Sequence, residues 1–269
     1  MKISVFYHHV CEAAKQRNIP IEAVLEKVKL LGIDYAEFDI GDLRSDENFR
    51  LLEKAGMKIS SVYGLYDFAE NPNGFRGEYH CRRAAELGAG KVMIIPGFYS
   101  SQNPTVMEKE RESMLSAMSE MCGIAEEYGV IPTVEDYDDF NSPISTAERM
   151  KWFADRIPQL KITFDTGNFM YSAQSELYAF ELLEDKIVHV HCKDRSMTPD
   201  SRCEMRNSVN GIEMYACPVG FGCVPVGEIV RELEKSGYDG IYTIEHYGAY
   251  DQLEFIERSV ENIKKMAGD

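Results

Sequence analysis

The chain has 269 residues, 44% hydrophobic and 28% charged, the make-up of a water-soluble globular protein with a sizeable core. Its net charge of −16 excludes a surface built to neutralise nucleic-acid phosphates or anionic lipid. No stretch approaches the ~20 apolar residues that span a bilayer, and MKISVFYHH at the start leaves no room for a signal peptide, so a cytoplasmic location is expected.

ISVFY supplies a first strand. After Pro20, residues Ile21, Val24, Leu25, Val28 and Leu31 fall on one stripe and predict the first helix. A half-repeat of amphipathic helix, glycine and short β-rich run then recurs. It is seen in KLLGIDYAEF around Gly32, EKAGMKISSV around Gly56, AELGAGKVMII around Gly88, EEYGVIPTVE around Gly129 and EKSGYDGIYTIE around Gly237. Glycine takes the left-handed conformation that ends a helix, and a tight turn feeds the next strand. LKITFD and KIVHVH complete the set of eight strands, and further helices are expected near Asp46, Gly74, Thr105, Ser145, Ser172, Val226 and Gln252.

Alternating strands and helices imply a parallel sheet, because parallel strands need a crossover. An open doubly wound sheet usually carries a glycine-rich loop after its first strand, and here that place reads YHHVCEAAK. The expected architecture is α/β, a single (β/α)8 TIM barrel over residues 1–269. One long insertion, Cys192–Gly222, follows strand seven on the face where such barrels carry their chemistry. The seven cysteines are odd in number and lack CxxC spacing, which predicts reduced thiols rather than disulfides or a thiolate zinc site.

The C-terminal ends of the last four strands carry Glu135 after VIPTV, Asp165 after KITF, His191 after KIVHV and Glu245 after IYTI. A lone acid at a strand end is often a helix cap. Four ligand-type residues at four matched ends converge instead on one side of the mouth. Hard and borderline ligands of this kind suit one divalent ion, Mn, Mg, Co or Zn. Alternation points Thr133, Thr163, His189 and Thr243 inward with them, and sends Val134, Phe164, Val190 and Ile244 outward to the helices. The three threonines are expected to donate hydrogen bonds to the ligand carboxylates.

VED at 134–136, FDTGN at 164–168, HVHCKD at 189–194 and VPVGEIVRELEKSGYDGIYTIEH at 224–246 together resemble the xylose-isomerase-like barrel superfamily, specifically its sugar phosphate isomerase/epimerase branch. With the repeats, the resemblance covers essentially the whole chain. It implies that Glu135, Asp165, His191 and Glu245 are metal ligands and that Glu135 and Glu245 double as acid and base. The two glutamates would face opposite sides of a metal-bound small sugar or sugar phosphate and work through an enediolate. Epimerases of this superfamily often carry a histidine in FDTxH, where this chain has Asn168. Asparagine binds a hydroxyl but shuttles no proton, which speaks against a ketose 3-epimerase.

Other residues near the mouth are candidate substrate contacts. Glu37 could bond substrate hydroxyls or Lys193, or sit in a plain buried ion pair. Lys193 fits a positioning or anion-binding role, and His8 could reach a substrate. Arg202 and Arg206, with Arg195, crowd the long insertion and could read an anionic substituent. An inosose-type dehydratase on the same barrel is the alternative function. An abasic-site endonuclease would need more histidine ligands than six histidines readily supply, and a basic surface this chain lacks. The expected partner is a small molecule, with no nucleic acid and no membrane; a homo-oligomer stays open.

Overall fold

The computed structural model describes residues 1–72 and 77–268. Its strands are β1 (Lys2–Phe6), β2 (Tyr35–Asp39), β3 (Lys58–Leu65), β4 (Lys91–Ile95), β5 (Ile131–Val134), β6 (Lys161–Asp165), β7 (Ile187–Cys192), β8 (Asp194–Ser196), β9 (Met205–Asn207), β10 (Glu213–Cys217) and β11 (Ile241–Ile244). Eight of them close a parallel barrel in the order β1–β11–β7–β6–β5–β4–β3–β2. These are the eight expected strands, and the (β/α)8 TIM barrel is the fold.

Around the barrel run α1 (Tyr7–Arg17), α2 (Ile21–Leu30), α3 (Glu47–Lys54), α4 (Gly77–Glu86), α5 (Pro104–Glu127), α6 (Ala147–Arg156), α7 (Glu176–Leu183), α8 (Val226–Ser236) and α9 (Gln252–Ala267). Gly32, Gly56, Gly88, Gly129 and Gly237 all have φ between +68° and +87°, the left-handed turn that the half-repeat calls for. The core lies between sheet and helices. Val134, Phe164, Val190 and Ile244 are fully buried there, as strand alternation requires.

The expected eight helices become nine among the described residues. The addition is α1, which occupies YHHVCEAAK directly after β1 and buries Val10, Ala13 and Ala14, an i, i+3, i+4 stripe. The helix start expected near Gly74 lies outside the described residues. All seven cysteines are free, and among the described residues no helix is long and apolar enough to cross a membrane.

The insertion folds into a three-stranded antiparallel sheet in the order β8–β10–β9, its two ends joined by one carboxylate. Asp194 Oδ1 accepts from the amides of Arg195 (2.8 Å) and Val224 (3.1 Å), and Oδ2 from those of Gly220 (2.9 Å) and Gly222 (2.8 Å). Both ends of the insertion therefore meet at a single buried side chain. Replacing Asp194 with alanine leaves four amides without their acceptor. The expected loss is about 2–4 kcal/mol, since bonds to a charged group are worth about 1.5–3 kcal/mol each and do not add fully. Urea unfolding checks this; a loss under about 1 kcal/mol would show that the loop is held elsewhere.

Candidate functional site

β5, β6, β7 and β11 are neighbours in the barrel, and their register places both Asp165 and Thr243 opposite His191. The Glu245 amide donates to the Cys192 carbonyl at 3.1 Å, extending the pairing past β11. One ligand atom from each of Glu135, Asp165, His191 and Glu245 consequently lies within 4.8 Å of the others. All four side chains are buried.

Beneath this cluster lies a polar layer. Thr163 donates to Thr133 Oγ1 at 2.8 Å, and Thr133 to the Val92 carbonyl at 3.4 Å. Thr243 bonds to Glu37 Oε2 at 3.3 Å and to His189 Nε2 at 3.0 Å. The threonines therefore do not reach the ligand carboxylates as expected. Two residues along a strand is about 6.6 Å, beyond hydrogen-bond reach, so each one bonds sideways within its own layer.

Glu37 also belongs to the lower layer and not to the mouth. It is 1% exposed, and its Oε2 lies 2.9 Å from His189 Nε2 and 3.1 Å from His191 Nε2. Its contacts are with these histidines and Thr243, not with Lys193 or with open space for substrate hydroxyls. Glu37 thus fixes the plane of His191 and turns Nδ1 toward Glu135 and toward Glu245 Oε2, 3.2 Å away.

These residues fit a divalent cation. Carboxylates accept and do not donate when ionised, yet they flank both nitrogens of His191. A proton on Nε2 facing Glu37 and a cation on the Nδ1 side satisfies both, the carboxylate–histidine–metal arrangement. Asp165 Oδ1 accepts from the Gly167 amide at 2.7 Å, which leaves Oδ2 aimed at the cluster. Asp165 Oδ2 and Glu245 Oε2 are buried and accept no hydrogen bond, facing instead the Lys193 ammonium at 3.3 Å and His191 Nδ1 at 3.2 Å, as ligand atoms awaiting a cation would. The four residues could therefore hold a metal.

Lys193 supplies positive charge beside them. Its buried ammonium donates to Asn168 Oδ1 at 2.8 Å, lies 3.3 Å from Asp165 Oδ2, and contacts Glu245 Oε1. Asn168 is oriented in turn, donating to the Asp136 carbonyl at 2.8 Å. Gly167 is required beside this pair, since a Cβ there would come within 2.9 Å of the Lys193 carbonyl.

The electrostatics separate the two glutamates. Burial, with repulsion from Glu245, pushes Glu135 up to about 8, although His191 opposes the rise. Burial works against ionised Glu245 as well, but Lys193 and His191 outweigh it and hold its carboxyl below the usual range. Burial raises Asp165 to about 6 despite Lys193. Burial also disfavours a charged His191, yet Glu135 and Glu37 lift its proton affinity well above normal.

Above the cluster opens a cleft of about 180 Å³, walled by Phe6, Tyr63, Tyr137 and Tyr247 and edged by Asp138 and Arg206. Asn168, Lys193, Glu135 and Glu245 face it as well. Arg206 reaches it from β9, pairs with Asp138, and lies 5.8 Å over the Tyr171 ring.

Besides Glu37, two expected contacts are absent from this cleft. His8 is 46% exposed and pairs with Glu12 at 3.5 Å, because the turn into α1 carries it off the strand axis. Arg202 binds Asp200 through Nε (3.0 Å) and Nη2 (2.7 Å) and stacks 3.9 Å over Tyr250. A local acid and an aromatic face thus hold it in a separate hollow lined by Tyr215, Phe221 and Tyr250, so Arg202 and Arg206 do not form one anion-reading pair. Sequence reading passed over Tyr137 and Tyr247, although each stands two residues beyond a ligand glutamate, the spacing that returns a side chain to the same face. It also passed over Asp136, which is fully buried with neither carboxylate oxygen partnered.

A closed parallel barrel with a buried carboxylate–histidine cluster at the C-terminal ends of its strands defines the class. The chain belongs to the xylose isomerase-like TIM barrel family, whose profile matches residues 25–266. It is 25% identical over 183 residues to an inosose dehydratase of Bacillus velezensis, a match spanning 62% of this chain and 60% of that relative's own length. Among solved structures, a D-tagatose 3-epimerase-like protein superposes with a TM-score of 0.75 at 21% identity, covering 100% of this chain and 98% of its own. A xylose isomerase-like TIM barrel protein of Mycobacterium smegmatis in complex with magnesium gives a TM-score of 0.68 at 20% identity, covering 91% and 87%. At these identities the structural likeness concerns the fold.

Glu37→Gln keeps the volume but removes the charge that orients His191. Calorimetric titration with Mn2+ is expected to show affinity falling roughly 10- to 100-fold, the usual effect of losing such a partner, with little change in thermal stability. Unaltered Mn2+ affinity would mean that His191 needs no orienting carboxylate.

Proposed function

We propose that this protein is a divalent-metal-dependent isomerase or epimerase of a small sugar, moving a proton at the carbon beside a carbonyl. The observation that carries this reading is the pair Glu135 and Glu245. They rise from β5 and β11, with β6 and β7 between them, on either side of Asp165 and His191, and both face the cleft. Their environments push their proton affinities apart, the signature of an acid and a base assembled in one site.

Glu135, Asp165, His191 and Glu245 would hold the metal, which when bound polarises the substrate carbonyl and stabilises developing negative charge. Glu245, kept ionised, takes the proton from the α-carbon. Glu135, on the other side of the cluster, returns one. Delivery to the same carbon epimerises and delivery to the neighbouring carbon isomerises. Lys193, fixed by Asn168, keeps its positive charge against Glu245 and Asp165 at the edge of the cleft, and Phe6, Tyr63 and Tyr247 supply apolar faces that keep water from the intermediate.

The cleft favours an uncharged substrate. Lys193 is already paired with Asp165 and Glu245, and Arg206 with Asp138. Beyond the metal itself, carboxylates outnumber these side-chain cations, so a phosphate on the substrate would find no unpaired lysine or arginine at the cleft. A dehydratase is the second reading, favoured by the inosose dehydratase relative. It would use the same base and lose a β-hydroxyl as water.

Conservative Glu135→Gln and Glu245→Gln changes are each expected to lower kcat by about 10²–10⁴, the range for a lost acid or base. Turnover in deuterium oxide places solvent deuterium on the α-carbon of recovered ketose or product. Product formed without deuterium, under slow turnover that excludes shielded proton return, indicates a hydride shift and removes the glutamates from proton transfer. Loss of one water, seen by mass spectrometry with an inosose, selects the dehydratase.

A second comparison concerns substrate charge. A free ketose is expected to exceed its phosphate ester by at least about 10-fold in kcat/KM, each unmatched charge costing on the order of 1.4 kcal/mol or more. Preference for the ester, abolished by Arg206→Ala, would reverse the assignment.

A further inference from the structure

His9, Glu12 and Gln16 stand at i, i+3 and i+7 on α1 and so share one helix face. That face is bonded to the loop between β11 and α9, which begins directly after Glu245. The His246 amide donates to His9 Nε2 at 2.9 Å. A ring nitrogen that accepts carries no proton in a neutral imidazole, so the proton sits on Nδ1 and is donated to Glu12 Oε2 at 3.2 Å. Glu12 Oε2 also accepts from Gln252 Nε2 at 2.8 Å, and the same nitrogen donates to the His246 carbonyl at 2.9 Å. Gln16 takes the far end, accepting from the Gln252 amide at 2.7 Å and donating to the Ala249 carbonyl at 3.0 Å. The next residue, Arg17, pairs with Asp251 at 2.5 Å.

His9, His246 and Gln252 are buried, so the bonds to the His246 amide and carbonyl are shielded from solvent. Between β11 and α9 the strand ladder no longer fixes the backbone, and the side chains of α1 do so instead. The peptide joining Glu245 to His246 has its N–H held by His9, which sets the plane from which Glu245 projects. On the other side of His246, Tyr247 enters the cleft with its ring 4.8 Å from that of His9.

We propose that His9, braced by Glu12 and Gln16, is a positioning residue that orients Glu245 and Tyr247 through the His246 amide. This rests on the reading of Glu245 as a metal ligand. Because His9 acts through one acceptor atom, replacement by another acceptor of similar reach restores its effect, whereas a role in packing alone would follow volume.

Two readouts on the full-length protein test this: Mn2+ affinity by calorimetry, and hydrogen exchange of the peptide spanning residues 245–251. His9→Ala is expected to weaken Mn2+ binding about 10-fold or more and to speed exchange of that peptide. His9→Gln, whose Oε1 can accept the same N–H, is expected to restore most of both. Wild-type Mn2+ affinity in His9→Ala overturns the proposal. So does a His9→Gln variant as impaired as His9→Ala at equal melting temperature. If His9→Ala does not fold, Glu12→Ala, on a half-buried position, takes its place, and unchanged affinity and exchange there overturn the proposal equally. A wild-type protein that takes up no Mn2+ sinks the metal reading itself and the proposal with it, an outcome told apart because the variants then play no part.

Discussion

Glu37, Glu135, Asp136, Asp165 and Glu245 all lie buried near one end of the barrel, and this concentration of like charge is the constraint on which the site depends. Ionised carboxylates cannot be taken out of water without a proton, a cation or several hydrogen bonds to each. Each solution is present. His191 and His189 surround Glu37, Lys193 lies between Asp165 and Glu245, and burial raises the proton affinity of Glu135 and Asp136. A divalent ion among Glu135, Asp165, His191 and Glu245 would answer the same demand with one charge centre.

Parallel strands make this concentration possible. Every strand of the barrel ends at the same rim, so one residue position repeated on neighbouring strands becomes a ring of side chains. Alternation then gives the ring a polar floor of threonines and histidines and an apolar outer face of Val134, Phe164, Val190 and Ile244. The cluster residues stand at or directly after strand ends, while the cleft above them is shaped by strand residues Phe6 and Tyr63 together with Tyr137, Asp138 and Tyr247 from the loops. That division lets rigid pairing hold the chemistry and lets variable segments set what fits above it.

Two segments beyond the regular repeat secure the rim. The appended sheet is gathered at its root by Asp194 and reaches Asp138 through Arg206. The Val209 amide, donating to the Tyr171 carbonyl at 2.8 Å, pins its tip to the loop after β6. From the N-terminal side, α1 holds the loop after β11. At the Asp194 root and along α1 the tie is a side chain bonded to backbone groups, the means available where a loop has no ladder of its own.

The sequence by itself determined the barrel and the four residues at its mouth. Period-two strands, period-3.6 helices and helix-ending glycines are local signals, set by backbone sterics and by which face must be buried, so Gly32, Gly56, Gly88, Gly129 and Gly237 marked the turns correctly. Strand parity likewise sent Glu135, Asp165, His191 and Glu245 to one face. Tertiary structure alone decided what each polar side chain meets. Glu37 and His191 are 154 positions apart and bond because barrel closure brings β2 within reach of β7 across the interior. Asn168 was legible as a mouth residue, but its grip on Lys193 was not. Arg202 and Arg206 look equivalent in the chain, and the pairing of β9 with β10 sends one to the cleft and leaves the other on Asp200. Hydrogen bonds and ion pairs act over about 3–4 Å, and no periodicity in a sequence specifies distances that short between segments that only folding brings together.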